Sequence, residues 1–394
     1  MNHALGRFLL LPAVLAGLAL VGCHSTYYDN GVAYACATAQ AAAVDLNGDH
    51  RLDLLATTPG CDLITADLQS SSQAGSFLAP QHTGASGPYL FAVGPLAAGA
   101  LPGLAVATDA GVTVMAPNPA QPGTFTPVAT LSLGARIAQG VALGDLTGNG
   151  LADVAVAADG GSDLLVFFQQ ADGSFGAPLS LPVAGTPTAV AMGDLDGDGL
   201  PDLAVATDAD QVSVLLQDPA HPGQFLAHVD YSAGNGPLDL KIADLENAGF
   251  PDLVVADGGT DQQDITQGLA VLLHDPAHPG AFLAATIYDV GDYDSVAVAV
   301  GDLNEDGLPD IAVANFGLDD TPGSVSVLLQ DPAHPGSFLA GTVYQGFFGP
   351  QSVAIGDLNG DGLPDLVSAD GDITVRYQVP GQPGTFGPLQ HYLQ

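Results

Sequence analysis

The chain has 394 residues, enough for two ordinary domains or one large all-β unit, and 47% of them are hydrophobic, so it can bury a core. Lys and Arg total 5 against 43 Asp and Glu, a formal net charge of −38. That balance excludes nucleic acid as a partner, since nothing could neutralise its phosphates, and excludes adsorption to anionic lipid; it suits a protein that binds cations or stays soluble in an exposed setting.

The N-terminus reads as a targeting segment and stands outside the fold. Arg7 gives a positive start, and Phe8 to Leu20 is an apolar run of 13 residues, too short to span a bilayer comfortably. Leu20-Val21-Gly22-Cys23 follows, and this tetrad resembles the lipobox of bacterial lipoproteins. The resemblance implies cleavage before Cys23, acylation of Cys23 and an anchor of several acyl chains. His24 stands where an Asp would signal retention, so the resemblance implies the outer membrane or cell surface as destination. Residues 1–22 are thus the signal peptide, and 23–36 the lipidated Cys and a linker.

Residues 37–394 are repeats. An acidic loop begins at Asp45, Asp145, Asp194, Asp244, Asp302 and Asp357, and Pro95 to Gly103 keeps the same frame without its carboxylates. Successive starts lie 50, 50, 49, 50, 58 and 55 residues apart, which makes seven units. In the fourth, Thr188–Gly193 reads as strand one, Leu203–Thr207 as strand two, Val212–Gln217 as strand three and Phe225–Tyr231 as strand four. Asp208-Ala209-Asp210 is a tight turn, and Asp218-Pro-Ala-His-Pro-Gly223 a loop. The Ala-rich stretch Ala37–Val44 is the one whose composition also suits a helix. Four short antiparallel strands repeated seven times predict an all-β, seven-bladed β-propeller. Small Ala side chains and the lack of Trp suit blades packed closely face to face. Ring closure stays open between a strand from the Tyr27-Tyr28 region joining the last blade and each repeat forming its own blade.

Three units, Asp194-Leu-Asp-Gly-Asp-Gly-Leu-Pro-Asp202, Asp302-Leu-Asn-Glu-Asp-Gly-Leu-Pro-Asp310 and Asp357-Leu-Asn-Gly-Asp-Gly-Leu-Pro-Asp365, resemble the FG-GAP or VCBS repeat of integrin α-subunit propellers and bacterial surface proteins. The resemblance implies a propeller with Ca²⁺ in the loops joining strands one and two. The spacing itself supports oxygen ligation of a hard cation: acidic or amide groups at positions 1, 3, 5 and 9, with Gly at position 6 for the sharp turn. An EF-hand does not fit, because position 12 of the fourth loop is Val205 rather than Glu and a strand follows. The ninth-position Asp is therefore expected to supply the ligation that the distal Glu gives an EF-hand.

Three to five Ca²⁺ sites are expected. Loops four, six and seven are complete, with Asp194, Asp196, Asp198 and Asp202; Asp302, Asn304, Asp306 and Asp310; and Asp357, Asn359, Asp361 and Asp365. Loop one has Asp45, Asn47, Asp49 and Asp53, with His50 at the Gly position. Loop three has Asp145, Thr147, Asn149 and Asp153 and fewer charges. Loop five is weak, with Asp244, Glu246 and Asp252 but Ala248 at position 5, and loop two has no ligand.

Strand polarity puts these loops on one face and the two-to-three loops on the other. Cys36 and Cys61 fall at the same end of neighbouring strands, so a disulfide bracing the first blade is expected; two buried thiols are the alternative. Units five and six carry longer two-to-three loops. Asp257, Asp261, Asp264, Phe316, Asp319 and Asp320 there, with Asp292, Tyr293, Asp294, Phe347 and Phe348 in nearby connections, are ligand-face candidates for carbohydrate or a cationic protein surface. The repeated His221, His278 and His334 each sit on a different blade in a Pro-rich turn and cannot converge on one ion.

No nucleophile elbow, phosphate loop or His-Glu-x-x-His is present, and four basic residues after the signal (Arg51, Arg136, Lys241 and Arg376) leave little for an anion clamp. The reading is a non-catalytic, Ca²⁺-stabilised envelope lipoprotein, a monomeric binding or adhesion scaffold. A polysaccharide lyase or hydrolase on the same scaffold and a purely structural envelope protein are the alternatives.

Overall fold

The computed structural model describes residues 27–29, 32–34, 38–72, 75–259, 268–292, 294–317 and 322–392. Seven four-stranded antiparallel sheets follow one another, each drawn from a single repeat, with no α-helix among the described residues. Among the described residues no helix is long and apolar enough to cross a membrane. The fold is a seven-bladed β-propeller, and the Ala-rich segment is a strand, Gln40–Val44. The first strands of neighbouring blades lie beside one another, including Ser352–Gly356 of blade seven beside Gln40–Val44 of blade one.

The second strands explain why sequence alternation is weak. Asp202–Thr207, Asp252–Asp257 and Asp310–Asn315 are buried at every residue. A strand in the middle of a blade is covered by the blades on both sides, so both its faces are apolar and a continuous run replaces alternation. The core is accordingly seven clusters, each shared by two neighbouring blades. The fourth strand of blade four differs from expectation: it is Val229–Ser232, and Phe225 makes only an isolated bridge to Gln217. The Phe225 ring packs into the cluster between blades three and four, and that inward turn interrupts the pairing.

Among the described residues the ring closes by packing, without strand exchange. Tyr27–Asp29 and Val32–Tyr34 pair only with each other. Between blades seven and one, Ala41 and Leu54 meet Leu358, Val367 and Ile373. Ala41 N donates to Ser352 Oγ at 3.0 Å and Thr38 Oγ1 to the Asp372 carbonyl at 2.7 Å. The edge-to-face aromatic pairs that join blades four to five, five to six and six to seven, Tyr231–Phe282, Tyr288–Phe338 and Tyr344–Phe386, recur at the closure as Phe77–Tyr392, 5.3 Å between centroids. Tyr392→Ala is therefore expected to destabilise the whole ring, by about 2 kcal/mol for a half-buried aromatic lost from a packed pair. Tyr392→Phe removes only the hydroxyl contact to Tyr377 and should cost about 1 kcal/mol. Denaturant unfolding of the two variants checks the order.

Cys61 is disulfide-bonded, and its expected partner Cys36 lies outside the described residues, as does Cys23.

Candidate functional site

Each acidic loop is first a set of backbone brackets. Asp194 at position 1 accepts hydrogen bonds from Gly197 N at 2.7 Å and Gly199 N at 2.9 Å. Asp196 accepts from Asp198 N at 3.0 Å, and Asp198 from Leu200 N at 2.8 Å. These bonds curl the chain so that the carboxylates face one another. Two residues per loop take positive φ, as Gly197 (79°) and Gly199 (89°) do in loop four. Loop one meets the same demand at its sixth position with His50, whose φ is 66°, so the substitution for Gly is accommodated.

The ninth position does more than the sequence reading assigned to it. Asp202 is buried, and its two oxygens accept from Leu195 N at 2.8 Å and Gln217 N at 2.7 Å. It ties the start of the loop to the end of the third strand. Asp53, Asp153, Asp252, Asp310 and Asp365 do the same, on Leu46 and Gln69, Leu146 and Gln169, Leu245 and His274, Leu303 and Gln330, and Leu358 and Gln378. Burial pushes the Asp202 and Asp365 carboxyls up to about 7, and Asp53, Asp153 and Asp310 up to about 6, against the lowering effect of those backbone donors. Each oxygen keeps a second lone pair, so a bracket can also be a ligand.

Among the described residues, one all-carboxylate group converges: Asp194, Asp196 and Asp202 each bring an oxygen within 4.8 Å of the others. In loops one, six and seven the third position is an amide, Asn47, Asn304 or Asn359, whose oxygen accepts from the position-5 N–H at 2.8–2.9 Å. In loop three, Asp145 accepts from Asn149 N and Gly150 N, and Asn149 from Leu151 N. In loop five, Asp244 holds Ala248 N and Gly249 N, and Glu246 and Asp252 meet His274. The blank second loop is a turn held by its neighbour: Ala98 N donates to the Gly150 carbonyl and Ala152 N to the Leu96 carbonyl.

The glutamine after the third strand is a residue that sequence reading missed. Gln217 Oε1 accepts from Gly223 N, and its Nε2 donates to the Pro201 carbonyl. Gln330 repeats both bonds. The glutamine preceding the turns at Asp218-Pro219, Asp331-Pro332 and Val379-Pro380 is the available signal. The rim histidines each pair with the Asp of their own turn, His221 with Asp218 at 2.8 Å, His278 with Asp275 at 2.7 Å and His334 with Asp331 at 2.8 Å, and do not converge.

On the opposite face two candidates are corrected. Phe347 is 1% exposed and belongs to the core between blades six and seven, because its strand turns the ring into the cluster that also holds Val353 and Leu366. Asp257 is 1% exposed and caps the chain, accepting from Asn235 N at 2.8 Å. Phe316 and Phe348 are exposed, and the Phe316 ring lies against Gly349, the residue after Phe348, so the two aromatics share one part of this face. Asp292 accepts from Gln345 Nε2 at 3.3 Å, and Asp294 holds a positive φ of 61°. Asp261, Asp264, Tyr293, Asp319 and Asp320 lie outside the described residues.

The four basic side chains are all engaged. Arg136 binds Asp163 at 3.0 Å and Lys241 binds Asp239 at 2.7 Å. Arg51 donates to the Ser70 carbonyl, and Arg376 to the Gly387 carbonyl beneath Tyr344 and Phe347.

Blade seven supplies a pH prediction away from the acidic loops. Burial pushes Asp370 and Asp372 up to about 7. A folded pKa above the unfolded value of 3.8 means that the native state holds more protons between them, so this stability is present below about pH 4 and lost as pH rises through about 7. Metal-free protein should therefore melt higher at pH 5 than at pH 8. A double Asp370→Asn, Asp372→Asn variant should show a flatter profile in a pH series of melts.

With this geometry in view, the comparisons identify the repeat. The FG-GAP-like repeat matches residues 145–205, 194–255 and 302–368. Residues 145–255 and 302–368 are FG-GAP-like repeats. No curated protein matches it. Among solved structures, BBS1N in complex with ARL6DN aligns at 12% identity and a TM-score of 0.58, over 91% of this chain and 98% of that one. A protein from Lactobacillus plantarum aligns at 17% identity and 0.54, over 80% and 86%. The Dos1 propeller aligns at 11% and 0.52, over 89% and 80%. At these identities the likeness is one of fold, and the FG-GAP-like repeats sit within that propeller.

Proposed function

We propose that the protein is a non-catalytic binding scaffold of the cell envelope, stabilised by Ca²⁺ in its FG-GAP-like loops and held to the outer membrane or cell surface by lipid on Cys23. The observation that carries the calcium reading is the convergence of Asp194, Asp196 and Asp202, whose all-oxygen donors suit a hard cation. Loops one, three, six and seven offer the same positions with amides or Thr147 among the donors. Bound Ca²⁺ would neutralise carboxylates that otherwise repel one another and cross-link each loop to its blade.

The ligand face is the opposite one. Exposed Phe316 and Phe348 beside acidic loops supply flat apolar surface and acceptors for a carbohydrate or a cationic protein. The engaged state of all four basic side chains supports a scaffold over an enzyme acting on anionic substrates. A propeller of this architecture can hold a protein partner, as BBS1N is crystallised with ARL6DN.

The test is a glycan array and a surface pull-down with wild-type protein in Ca²⁺, alongside a Phe316→Ala, Phe348→Ala variant. Binding lost in the variant, with no product released from bound polysaccharide, supports the scaffold. Product release would assign an enzyme, and binding unaffected by the variant would move the site elsewhere.

A further inference from the structure

Several departures of blade five from its siblings fall on one spot. Position 5 of its loop is Ala248, so a ligand for a hard cation is missing. The residue after its third strand is His274, where blades one, three, four, six and seven have Gln69, Gln169, Gln217, Gln330 and Gln378. The backbone occupies both ends of the Gln217 and Gln330 amides. The imidazole of His274 turns into the loop instead. Its Nδ1 lies 3.3 Å from Asp252 Oδ1 and 3.8 Å from Glu246 Oε2.

The surroundings are built for this. Glu246 stands at position 3, one methylene longer than Asp196 of blade four, and so reaches the ring. Phe250 packs on the imidazole, 5.4 Å between centroids, at a position where blades four and six have Leu200 and Leu308. The side chains of Asp252 and His274 are 0% and 7% exposed, while Glu246 is at 31%, so the group is buried on the blade side and open towards solvent. All three ligand atoms lie within 4.8 Å of one another.

We propose that Glu246, Asp252 and His274 Nδ1 form a site for a transition-metal ion of the Zn²⁺ class, distinct from the hard-cation loops of the other blades. An imidazole nitrogen is a poor match for Ca²⁺, which takes six to eight hard oxygens, and a preferred ligand for Zn²⁺. Tetrahedral ligands at about 2.1 Å from Zn²⁺ stand about 3.4 Å from one another. The His274 distances to the two carboxylates are already close to that spacing. Three protein ligands leave the fourth position to water from the Glu246 side.

The competing account is a structural ion pair, a protonated His274 held between two carboxylates. Titration calorimetry of the full chain with ZnCl₂ in excess CaCl₂ separates the two. His274→Gln installs the side chain of the sibling blades and should leave the fold and its response to Ca²⁺ intact. One tight equivalent of Zn²⁺ in the wild type, weakened on the order of 100-fold or more in His274→Gln, is the expected result. With Co²⁺ as probe, four-coordinate visible absorption should appear in the wild type and vanish in His274→Gln. A His221→Asn, His278→Asn, His334→Asn variant should keep the tight site, because the rim histidines offer only separate Asp–His pairs. No tight Zn²⁺ binding, equal binding by wild type and His274→Gln, or loss in the rim variant would each overturn the proposal.

Discussion

Chelation with EDTA is expected to lower the melting temperature by on the order of 15 °C relative to protein in millimolar Ca²⁺. The estimate counts the three best-furnished loops, those beginning at Asp194, Asp302 and Asp357. A site filled at 100 times its dissociation constant contributes about 2.7 kcal/mol, and a chain of this size shifts by about 2 °C per kcal/mol. The physical cause is local. Loop four draws Asp194, Asp196 and Asp202 together on a chain of net charge −38, and no basic residue stands among them to compensate. Calorimetry in Ca²⁺ and in EDTA checks the shift, and an unchanged melt would remove calcium from the account. The loops also differ from one another in a way that the same experiment resolves. Asp198→Ala should cost more than Asn149→Ala in Ca²⁺, since it deletes a charged donor from a complete loop. In EDTA that order should vanish or reverse, because each side chain then accepts one backbone N–H, from Leu200 at 2.8 Å and Leu151 at 2.7 Å, and Asp198→Ala also relieves repulsion on Asp196.

The repeat made most of the fold legible. A fifty-residue period with turn residues in fixed places dictated seven units, and the strands followed from short apolar runs between those turns. What stayed hidden depends on contacts between units. Ring closure rests on Phe77 meeting Tyr392 and on Thr38 reaching the Asp372 carbonyl, pairs separated by most of the chain, which no local pattern encodes. Phe347 shows the same limit from the other side. In sequence it adjoins Phe348 and looks like half of an exposed aromatic pair, but strand pairing with Gly323 sends one ring inward and leaves the other out. Asp257 reads as the start of a long loop, but it ends the strand and caps the turn at Asn235 that leads into the first strand of the same blade. The acidic loops were legible as oxygen donors, yet His274 was not, because it lies 22 residues from Asp252 and reaches it only through the pairing of the second and third strands.

The ninth-position aspartates yield the second large effect, and it separates bracket from ligand. Asp310→Ala in EDTA should cost about 2–6 kcal/mol, because it leaves the buried N–H groups of Leu303 and Gln330 without acceptors, each worth about 1–3 kcal/mol. Asp306→Ala in EDTA should be nearly neutral. Its side chain is exposed and holds only Leu308 N and a contact to Asn304, and its removal relieves repulsion between carboxylates. In Ca²⁺ both variants should be destabilised, Asp306→Ala by the loss of ion binding and Asp310→Ala by that loss and the broken bracket together. Asp310→Asn should fall between wild type and Asp310→Ala in EDTA. It keeps one acceptor oxygen and turns an NH₂ donor towards the other N–H, but it also avoids burying a charge whose pKa stands at about 6. Denaturant midpoints for the three variants, with and without Ca²⁺, give the comparison. Equal losses for Asp306→Ala and Asp310→Ala in EDTA would mean that the ninth position acts through the ion alone. The predicted inequality would mean that each blade is pinned by its buried Asp before any cation arrives, and that the cation then stabilises a loop whose shape the backbone has already set.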